Sequence, residues 1–486
     1  MPLDLTLDDL SRLDRVRDVL RANDPNGQFA ALDMEEVRIS DDVLDDLVAV
    51  VTDHLRRAGR DNGGTVCMIC DPVTIKRADA DLKALVEERL SGAFALTKIV
   101  LDDGHPVLHA SEAMLDEATA RSVGADAIVS VGGGTITDIA KIAAERNGIP
   151  VHVVVQTAAS VDGFTDNFSV VLQNGVKTTL LSRWPQAVLT DTQVVAAAPH
   201  HLNASGFGEL LSMYSAPGDW YLASEMGMDP KYAPVLLDLL ALCGSGVQEW
   251  SGGIREGDPA ATARLATALA MRGIVTGVGG TTASLSGMEH LVSHMLDMVG
   301  GELDEPTGLH GAQVGVGSVI RAAAWEEFRD RRAAEGLDVA TLFAAPASYE
   351  AEVREAFAWL DPTGKVGTEC WGRFETKLNQ WHASRDRIIA TLADWDRLEA
   401  AHEDKALGSH EIARMLHRAG APKRFSDLEP SPSSARMHWV VANCQFMRER
   451  FTVADLLTLA GWWDEAGVTR VMTRVEEACA AAERDE

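Results

Sequence analysis

The sequence is poor in basic residues, in cysteines and in long apolar runs. It has 44 lysines and arginines against 73 aspartates and glutamates, which gives a formal net charge of −29. Nucleic acids and anionic membranes are first recognised through Lys and Arg. We therefore expect neither as a partner. Because no apolar run approaches the roughly 20 residues that span a bilayer, we also expect no membrane segment.

The N-terminus lacks the features of an export signal. Residues 1–20 alternate acidic and aliphatic side chains, where a signal peptide has a basic start and an apolar block. Of the six cysteines, only Cys67 and Cys70 form a C-x-x-C pair, in an apolar run typical of a buried strand. Thiols three apart on a strand point to opposite faces, which suits neither a shared metal nor a redox pair. We expect reduced core cysteines and a cytoplasmic protein.

A chain of 486 residues is too long for one ordinary core and suits two domains. Short β-branched runs alternate with amphipathic helices up to about residue 189, as in a parallel α/β sheet. The predicted strands are 65–69, 94–101, 127–131 and 151–155, and the predicted helices between them include 80–90, 111–121 and 136–146. Strand signals nearly vanish afterwards. We predict an α/β domain over residues 1–198 and an all-helical domain over residues 199–486.

A glycine-rich turn follows the third predicted strand. The segment AIVSVGGGTITDIAK places a strand, a turn and a helix in succession, and the turn consists of Gly132, Gly133, Gly134 and Thr135. Glycines at such a junction let backbone N–H groups approach a phosphate, and the helix N-terminus adds partial positive charge. The spacing is not G-x-G-x-x-G, so a tight turn without a ligand stays open.

Asp71 follows the first predicted strand, TVCMIC. A carboxylate there could accept hydrogen bonds from an adenosine ribose, although a strand-end Asp is as often a turn residue. Both interpretations stay open at this point.

Three histidines form a second pattern. His290 and His294 stand four apart in SGMEHLVSHMLD, so on a helix both imidazoles project from one face. His310 follows a glycine-containing turn and precedes Gly311. With an acid from elsewhere, such residues make a three-ligand site for a divalent metal with open positions for a substrate oxygen. Since the chain has 14 histidines, a pair at this spacing can also arise by chance.

Further motifs complete a resemblance to a known family. After GGGTITDIAK come QTAASVDGFTD, SGFGELLSMYSAPGDW, SGMEHLVSHMLD and GLHGAQVGVG, in that order. Together they resemble the glycerol-1-phosphate dehydrogenases, in the superfamily of iron-containing alcohol dehydrogenases, glycerol dehydrogenases and dehydroquinate synthases. The likeness covers roughly residues 61–317, and the tail is similar to bacterial members with a longer C-terminus. It implies a Rossmann-like nucleotide-binding domain, a helical metal- and substrate-binding domain, and a cleft between them.

The resemblance also implies the metal ligands. Relatives take their metal from the acid of G-x-G-[DE], the first His of the helical pair and the His of H-G, which here are Glu209, His290 and His310. One divalent metal is expected: zinc, iron or nickel. Glycerol dehydrogenases typically carry Asp where this chain has Glu209, and dehydroquinate synthases carry Glu. His294 would then contact substrate or relay a proton, or else simply pack on its helix face.

Residues of the first domain receive roles by the same resemblance. Asp162 matches an acidic position beside substrate and nicotinamide, so we expect it to orient substrate hydroxyls; the alternative is a turn Asp before a glycine. Contacts to NAD or NADP are expected from Asp71, the glycine turn with Thr135, Asp138, Thr157 and Ser160.

Asp166 departs from the family pattern. Relatives often have a small hydroxyl residue at this position, and a carboxylate adds negative charge near phosphates. Lys177 or Arg183 could offset that charge and bind substrate phosphate, although each also fits an ordinary surface cation.

The expected activity is the interconversion of dihydroxyacetone phosphate and sn-glycerol 1-phosphate, a small phosphorylated substrate, by a homo-oligomeric enzyme. Three alternatives stay open: a dehydrogenase of another polyol or sugar phosphate, a dehydroquinate-synthase-like lyase or cyclase, and a degenerate homologue that serves as a scaffold.

Overall fold

The computed structural model describes residues 5–6, 9, 12–60, 64–105, 107–173, 176–343 and 349–485. The chain divides into two compact units. The first comprises Met1–Gly206 with Asp238–Thr281, and the second comprises Phe207–Leu237 with Thr282–Glu486. The predicted boundary after residue 198 remains a proposal.

All β-strands of the described residues belong to the first unit. They are β1 (Glu36–Ser40), β2 (Thr65–Cys70), β3 (Lys76–Arg77), β4 (Ala80–Asp81), β5 (Ala95–Val100), β6 (Ala127–Gly132), β7 (Val151–Gln156), β8 (Phe168–Gln173), β9 (Val176–Leu181) and β10 (Ala187–Asp191). Six of them form one sheet in the order β1-β10-β7-β6-β2-β5, in which every pair is parallel. The pairs β3–β4 and β8–β9 are antiparallel.

Helices separate the strands and make up most of the second unit. They are α1 (Leu13–Ala22), α2 (Leu47–Arg57), α3 (Leu82–Ser91), α4 (Glu112–Arg121), α5 (Gly134–Arg146), α6 (Thr192–Ala196), α7 (His200–Leu211), α8 (Ala216–Glu225), α9 (Pro234–Cys243), α10 (Val247–Glu256), α11 (Pro259–Gly279), α12 (Met288–Leu303), α13 (His310–Glu335), α14 (Tyr349–Ala358), α15 (Lys365–Ala383), α16 (Arg385–Ala393), α17 (Trp395–Glu403), α18 (Ser409–Ala419), α19 (Ser434–Asn443), α20 (Val453–Leu459) and α21 (Glu465–Arg484).

The sheet has a hydrophobic core on each face, because its central strands alternate apolar side chains between two layers of helices. One core joins Val66, Met68 and Cys70 of β2 to α2 and α3, and the other joins Cys67 and Ile69 to α4 and α5. Cys67 and Cys70 therefore lie on opposite faces, as predicted. All six cysteines are buried free thiols.

In the second unit, α12 and α13 pack side by side, and α18, α20 and α21 pack against α13. A buried ion pair between Arg321 and Asp219 connects helices of this bundle. Arg321 on α13 donates from Nε and Nη2 to Asp219 Oδ1 at 3.0 and 2.8 Å. Asp219 also accepts backbone N–H bonds from Met288 and Val453, so one carboxylate joins three helices and the start of α20.

The predicted fold class is confirmed: a parallel α/β sheet near the N-terminus is followed by a helical C-terminal region. Among the described residues, no helix combines the length and apolar character needed to cross a bilayer.

Candidate active site

The glycine turn lies at the carboxyl end of β6, where α5 begins. Gly133 is the N-cap residue of α5, and in the described part of the chain no side chain caps this end. A Cβ on Gly132 would come within 2.8 Å of Ile136, whereas one on Gly133 would meet no atom within 4 Å. Gly132 is thus required by packing. Gly133 leaves open space in front of a helix N-terminus, which is the geometry of an anion site.

Asp71 lies directly after β2, which neighbours β6 in the sheet. Its Oδ1 accepts hydrogen bonds from Val73 N at 2.9 Å and from Lys83 Nζ at 2.5 Å. Asp71 is therefore a turn residue and half of an ion pair, and the strand order also brings it next to the glycine turn.

Asp138 lies on α5, and its carboxylate accepts the N–H of Val170 in β8 at 3.2 Å. Burial is the main reason why the pKa of Asp138 is raised to about 7; Lys141 opposes this shift and Asp166 adds to it. Asp138 is thus engaged with the β8–β9 hairpin.

Asp166 is neutralised by Lys141. Arg183, which the sequence left open as a partner of Asp166 or an ordinary surface cation, binds other groups. Lys141 Nζ lies 2.6 Å from Asp166 Oδ1 and also donates to the carbonyls of Gly163 and Phe168. Arg183 instead donates to the carbonyls of Ile149 and Pro150. The side chain of Lys177 lies outside the described residues. Burial raises the pKa of Asp166 to about 6, although Lys141 opposes the shift.

Asp162 is held by a buried arginine from α11. Arg272 Nε and Nη2 both lie 3.2 Å from Asp162 Oδ2, with Arg272 fully buried and the Asp162 side chain 20% exposed. Thr157 is buried and Ser160 is partly buried in the segment that follows β7. This segment packs closely on α7, since a Cβ on Gly206 would lie 1.8 Å from the carbonyl oxygen of Ala159.

The second unit brings Glu209, His290 and His310 together. They come from α7, the first turn of α12 and the first residue of α13. One donor atom from each lies within 4.8 Å of the other two. Glu209 Oε1 is 3.5 Å from His290 Nε2, and Glu209 Oε2 is 3.6 Å from His310 Nε2. Three segments far apart in sequence thus direct their donor atoms to one point.

The Nδ1 atoms of His290 and His310, on the other side of each ring, also have hydrogen-bond partners. His290 Nδ1 lies 3.0 Å from Glu289 Oε1, and His310 Nδ1 lies 2.9 Å from Ser293 Oγ. Ser293 gives its own hydroxyl proton to Gln313 Oε1 at 2.7 Å, so Ser293 Oγ accepts from His310 Nδ1–H. These partners fix both rings with Nε2 directed towards Glu209.

The carboxylates around His290 change its protonation. Burial by itself would lower the pKa of His290, but its bonds to Glu209 and Glu289 outweigh burial and raise the pKa to about 9. Burial would likewise raise the pKa of Glu289, yet the bonds from His290 and Gly287 N–H lower it overall. Two carboxylates therefore face one imidazole in a buried pocket, an arrangement that favours a cation.

The residues fit a divalent metal. Donor atoms about 2.1 Å from a tetrahedral ion lie about 3.4 Å apart, close to the 3.5 and 3.6 Å separations that Glu209 makes. Two imidazoles and one carboxylate suit zinc, iron or nickel and leave coordination positions for water or substrate. Carboxylate and hydroxyl partners on the far ring nitrogens are typical of metal-binding histidines.

His294 lies beside this cluster without joining it. Its ring stacks on His310 with centroids 5.7 Å apart. Burial and the neighbouring His310 and His290 keep the pKa of His294 well below its usual value, so the imidazole is neutral. His294, Asp297 and His310 form a second group of potential ligands that shares His310 with the first.

Comparison of the sequence with known families and proteins identifies related dehydrogenases. The family model described as iron-containing alcohol dehydrogenase matches residues 42–199. A glycerol-1-phosphate dehydrogenase [NAD(P)+] from Haloquadratum walsbyi is 31% identical over 300 residues, which cover 60% of this chain and 80% of that protein. One from Bacillus velezensis is 28% identical over 363 residues, covering 71% of this chain and 87% of the relative.

The fold has a parallel among solved structures. A probable glycerol dehydrogenase from Sinorhizobium meliloti superposes with a TM-score of 0.53 at 16% identity, covering 92% of this chain and 97% of that one. The chain belongs to the glycerol-1-phosphate dehydrogenase family. It is an oxidoreductase, as predicted.

Sequence reasoning missed the residues that support the ligands. Glu289 stands beside His290 in a motif that was already singled out, so attention to the neighbours of His290 could have found it. Lys141 also lies within a recognised motif. Arg272 gives no comparable signal, because it lies 110 residues from its partner Asp162.

Proposed function

We propose that the chain is a metal-dependent, NAD(P)-linked dehydrogenase that interconverts dihydroxyacetone phosphate and sn-glycerol 1-phosphate. The observation that carries the proposal is the convergence of His290 Nε2, His310 Nε2 and the Glu209 carboxylate. The Nδ1 atom of each imidazole has its own hydrogen-bond partner, which fixes the ring. The names of the relatives, glycerol-1-phosphate dehydrogenase [NAD(P)+], supply the substrate and the nucleotide.

Glu209, His290 and His310 would hold the metal, and the glycine turn at the start of α5 would hold the dinucleotide pyrophosphate. When bound, a divalent metal acts as a Lewis acid on the substrate carbonyl, and the nicotinamide carries the hydride. The protein's part is orientation. Glu289 holds Nδ1 of His290 and Ser293 holds Nδ1 of His310, so that each Nε2 is directed towards Glu209 as a potential ligand.

We assign the handling of substrate hydroxyls to Asp162 and a supporting role to His294. Arg272 fixes the position of the Asp162 carboxylate through Oδ2. His294 is neutral beside His310, so its unprotonated ring nitrogen can accept a hydrogen bond from substrate. Asp138, Thr135, Thr157 and Ser160 are proposed nucleotide contacts.

We also propose the division of labour between the parts of the chain. The α/β region, drawn as residues 1–198 from sequence, would bind nucleotide, and the helical region from residue 199 would bind metal and substrate. A cytoplasmic location is supported by six buried free thiols, and a homo-oligomer is proposed without a defined interface.

The test is turnover by purified protein loaded in turn with zinc, iron and nickel. We expect oxidation of NADH or NADPH with dihydroxyacetone phosphate and much slower oxidation with dihydroxyacetone. The product should not be a substrate for an added sn-glycerol-3-phosphate dehydrogenase, which reads its stereochemistry.

Two results would contradict the proposal. Metal-loaded protein without turnover would exclude this reaction. A reaction without net NADH consumption would instead indicate a lyase or cyclase that regenerates its nucleotide in each cycle.

A further inference from the structure

A buried ion pair lies beside the proposed nucleotide site. Lys83, in the first turn of α3, places Nζ 2.5 Å from Asp71 Oδ1. The same ammonium group donates to the carbonyl oxygens of Asp71 and Val73 at 2.7 and 2.6 Å. The Lys83 side chain is only 7% exposed and the Asp71 side chain 17%. Lys83 thus has three fixed acceptors and holds residues 71–73 in place.

The sheet places this pair next to the glycine turn. Strands β2 and β6 are parallel neighbours, with Cys70 opposite Val131. Asp71 and Gly132 therefore follow corresponding positions at the same edge of the sheet. In dinucleotide-binding folds, an acid at the strand next to the phosphate turn accepts hydrogen bonds from the adenosine ribose.

The charge of this acid decides which nucleotide the site accepts. A lone carboxylate favours a ribose 2′-hydroxyl and repels a 2′-phosphate. Here Lys83 Nζ and Val73 N both donate to Oδ1 of Asp71. Oδ2 can still accept from a hydroxyl, while the adjacent ammonium cancels the carboxylate charge that a phosphate would meet.

We propose that Lys83 is a specificity-determining positioning residue: by neutralising and orienting Asp71, it lets one site bind both NAD(H) and NADP(H). This inference rests on the proposed function, because it assumes that the glycine turn binds a nicotinamide dinucleotide. Lys83 acts through Asp71 and is too buried to be a main phosphate ligand.

The test is the binding of NADH and NADPH to the full chain, measured by nucleotide fluorescence without substrate. Lys83→Met leaves the Asp71 charge uncompensated, so the Kd for NADPH should rise about tenfold relative to that for NADH. The double variant Asp71→Asn/Lys83→Met removes both charges and should recover the wild-type ratio. Lys98→Gln is the control. Lys98 of β5 forms a 2.6 Å ion pair with Glu87, which lies on α3, the helix that also carries Lys83.

Asp71→Asn alone gives a second reading that does not depend on Lys83→Met folding. This variant keeps the Lys83 ammonium but loses the Asp71 carboxylate, so the site becomes more positive. The Kd for NADPH should therefore fall at least threefold relative to the Kd for NADH. Wild-type protein that binds only one nucleotide, or variants that change both Kd values equally, would overturn the role of Lys83. Wild-type protein that binds neither nucleotide would contradict the proposed function itself.

Discussion

At the scale of single residues, the proposed metal ligands depend on side chains that do not touch the metal position. Glu289 is fully buried and bonds His290 Nδ1 and the N–H of Gly287. Ser293 passes its proton to Gln313 and accepts from His310. Such partners set the ring orientation and the basicity of the ligating nitrogen. Glu289 and Ser293 are therefore part of the proposed metal site.

Glu289→Gln should weaken metal binding while keeping the shape of the side chain. The amide lacks the charge that favours the Nδ1-protonated ring, so we expect a loss of affinity of about tenfold to a hundredfold. Competition with a chelator measures it. Glu302→Gln, at an exposed position of the same helix, is the matched control. Equal metal affinity in the two variants would remove Glu289 from the site.

At the scale of elements, the junction between β6 and α5 contains two glycines with different surroundings. Gly132 has no room for a side chain next to Ile136, whereas Gly133 faces open space. Because α5 begins at Gly134, its first N–H groups point out of the helix towards that space. The junction can thus be changed at Gly133 without disturbing the core.

Gly133→Ala should separate nucleotide binding from folding. The new methyl group would occupy the position of a phosphate and cost at least one charge-assisted hydrogen bond, so the Kd for NADH should rise about tenfold or more. Thermal unfolding should be unchanged. Gly252→Ala in α10, which also meets no neighbour within 4 Å, is the control. An unaltered Kd for Gly133→Ala would place the pyrophosphate elsewhere.

The elements also show what the sequence can predict. Strands β2, β6 and β7 are runs of buried, mostly β-branched residues and were predicted within one residue at each end. The predictions omitted β1, with the sequence EVRIS, the short β3–β4 pair, the β8–β9 hairpin and the buried strand β10. In β1 only Val37 is buried, and β8 carries the exposed Val170, so neither has the continuous apolar run of a central strand.

At the scale of the whole molecule, long-range ion pairs organise the sites and escape local patterns. Helix α11 groups with the first unit, where Arg272 meets Asp162 and Thr165 Oγ1 donates to the Ala270 carbonyl. Lys141 and Asp166 are 25 residues apart. The cluster of Glu209, His290 and His310 could be predicted from motifs, because each residue lies in a recognisable segment. The counter-charges could not, because their partners are set by tertiary packing.

Ion pairs also compensate the negative charge of the chain locally. The chain carries a net charge of −29, yet three of its buried cations, Lys83, Lys141 and Arg272, each pair with a carboxylate in the proposed nucleotide and substrate region. Anionic nucleotides and phosphorylated substrates would be strongly repelled by unneutralised carboxylates at short range. Local pairing therefore offsets the overall acidity where anions are proposed to bind.

The central claim is that Glu209, His290 and His310 hold one divalent metal. The most direct test is metal content by mass spectrometry after loading and gel filtration, with circular dichroism to verify folding. Wild-type protein and the exposed-site control His382→Ala should each retain about one ion per chain, whereas folded His290→Ala should retain almost none. Equal metal content in His290→Ala and wild type would contradict the account.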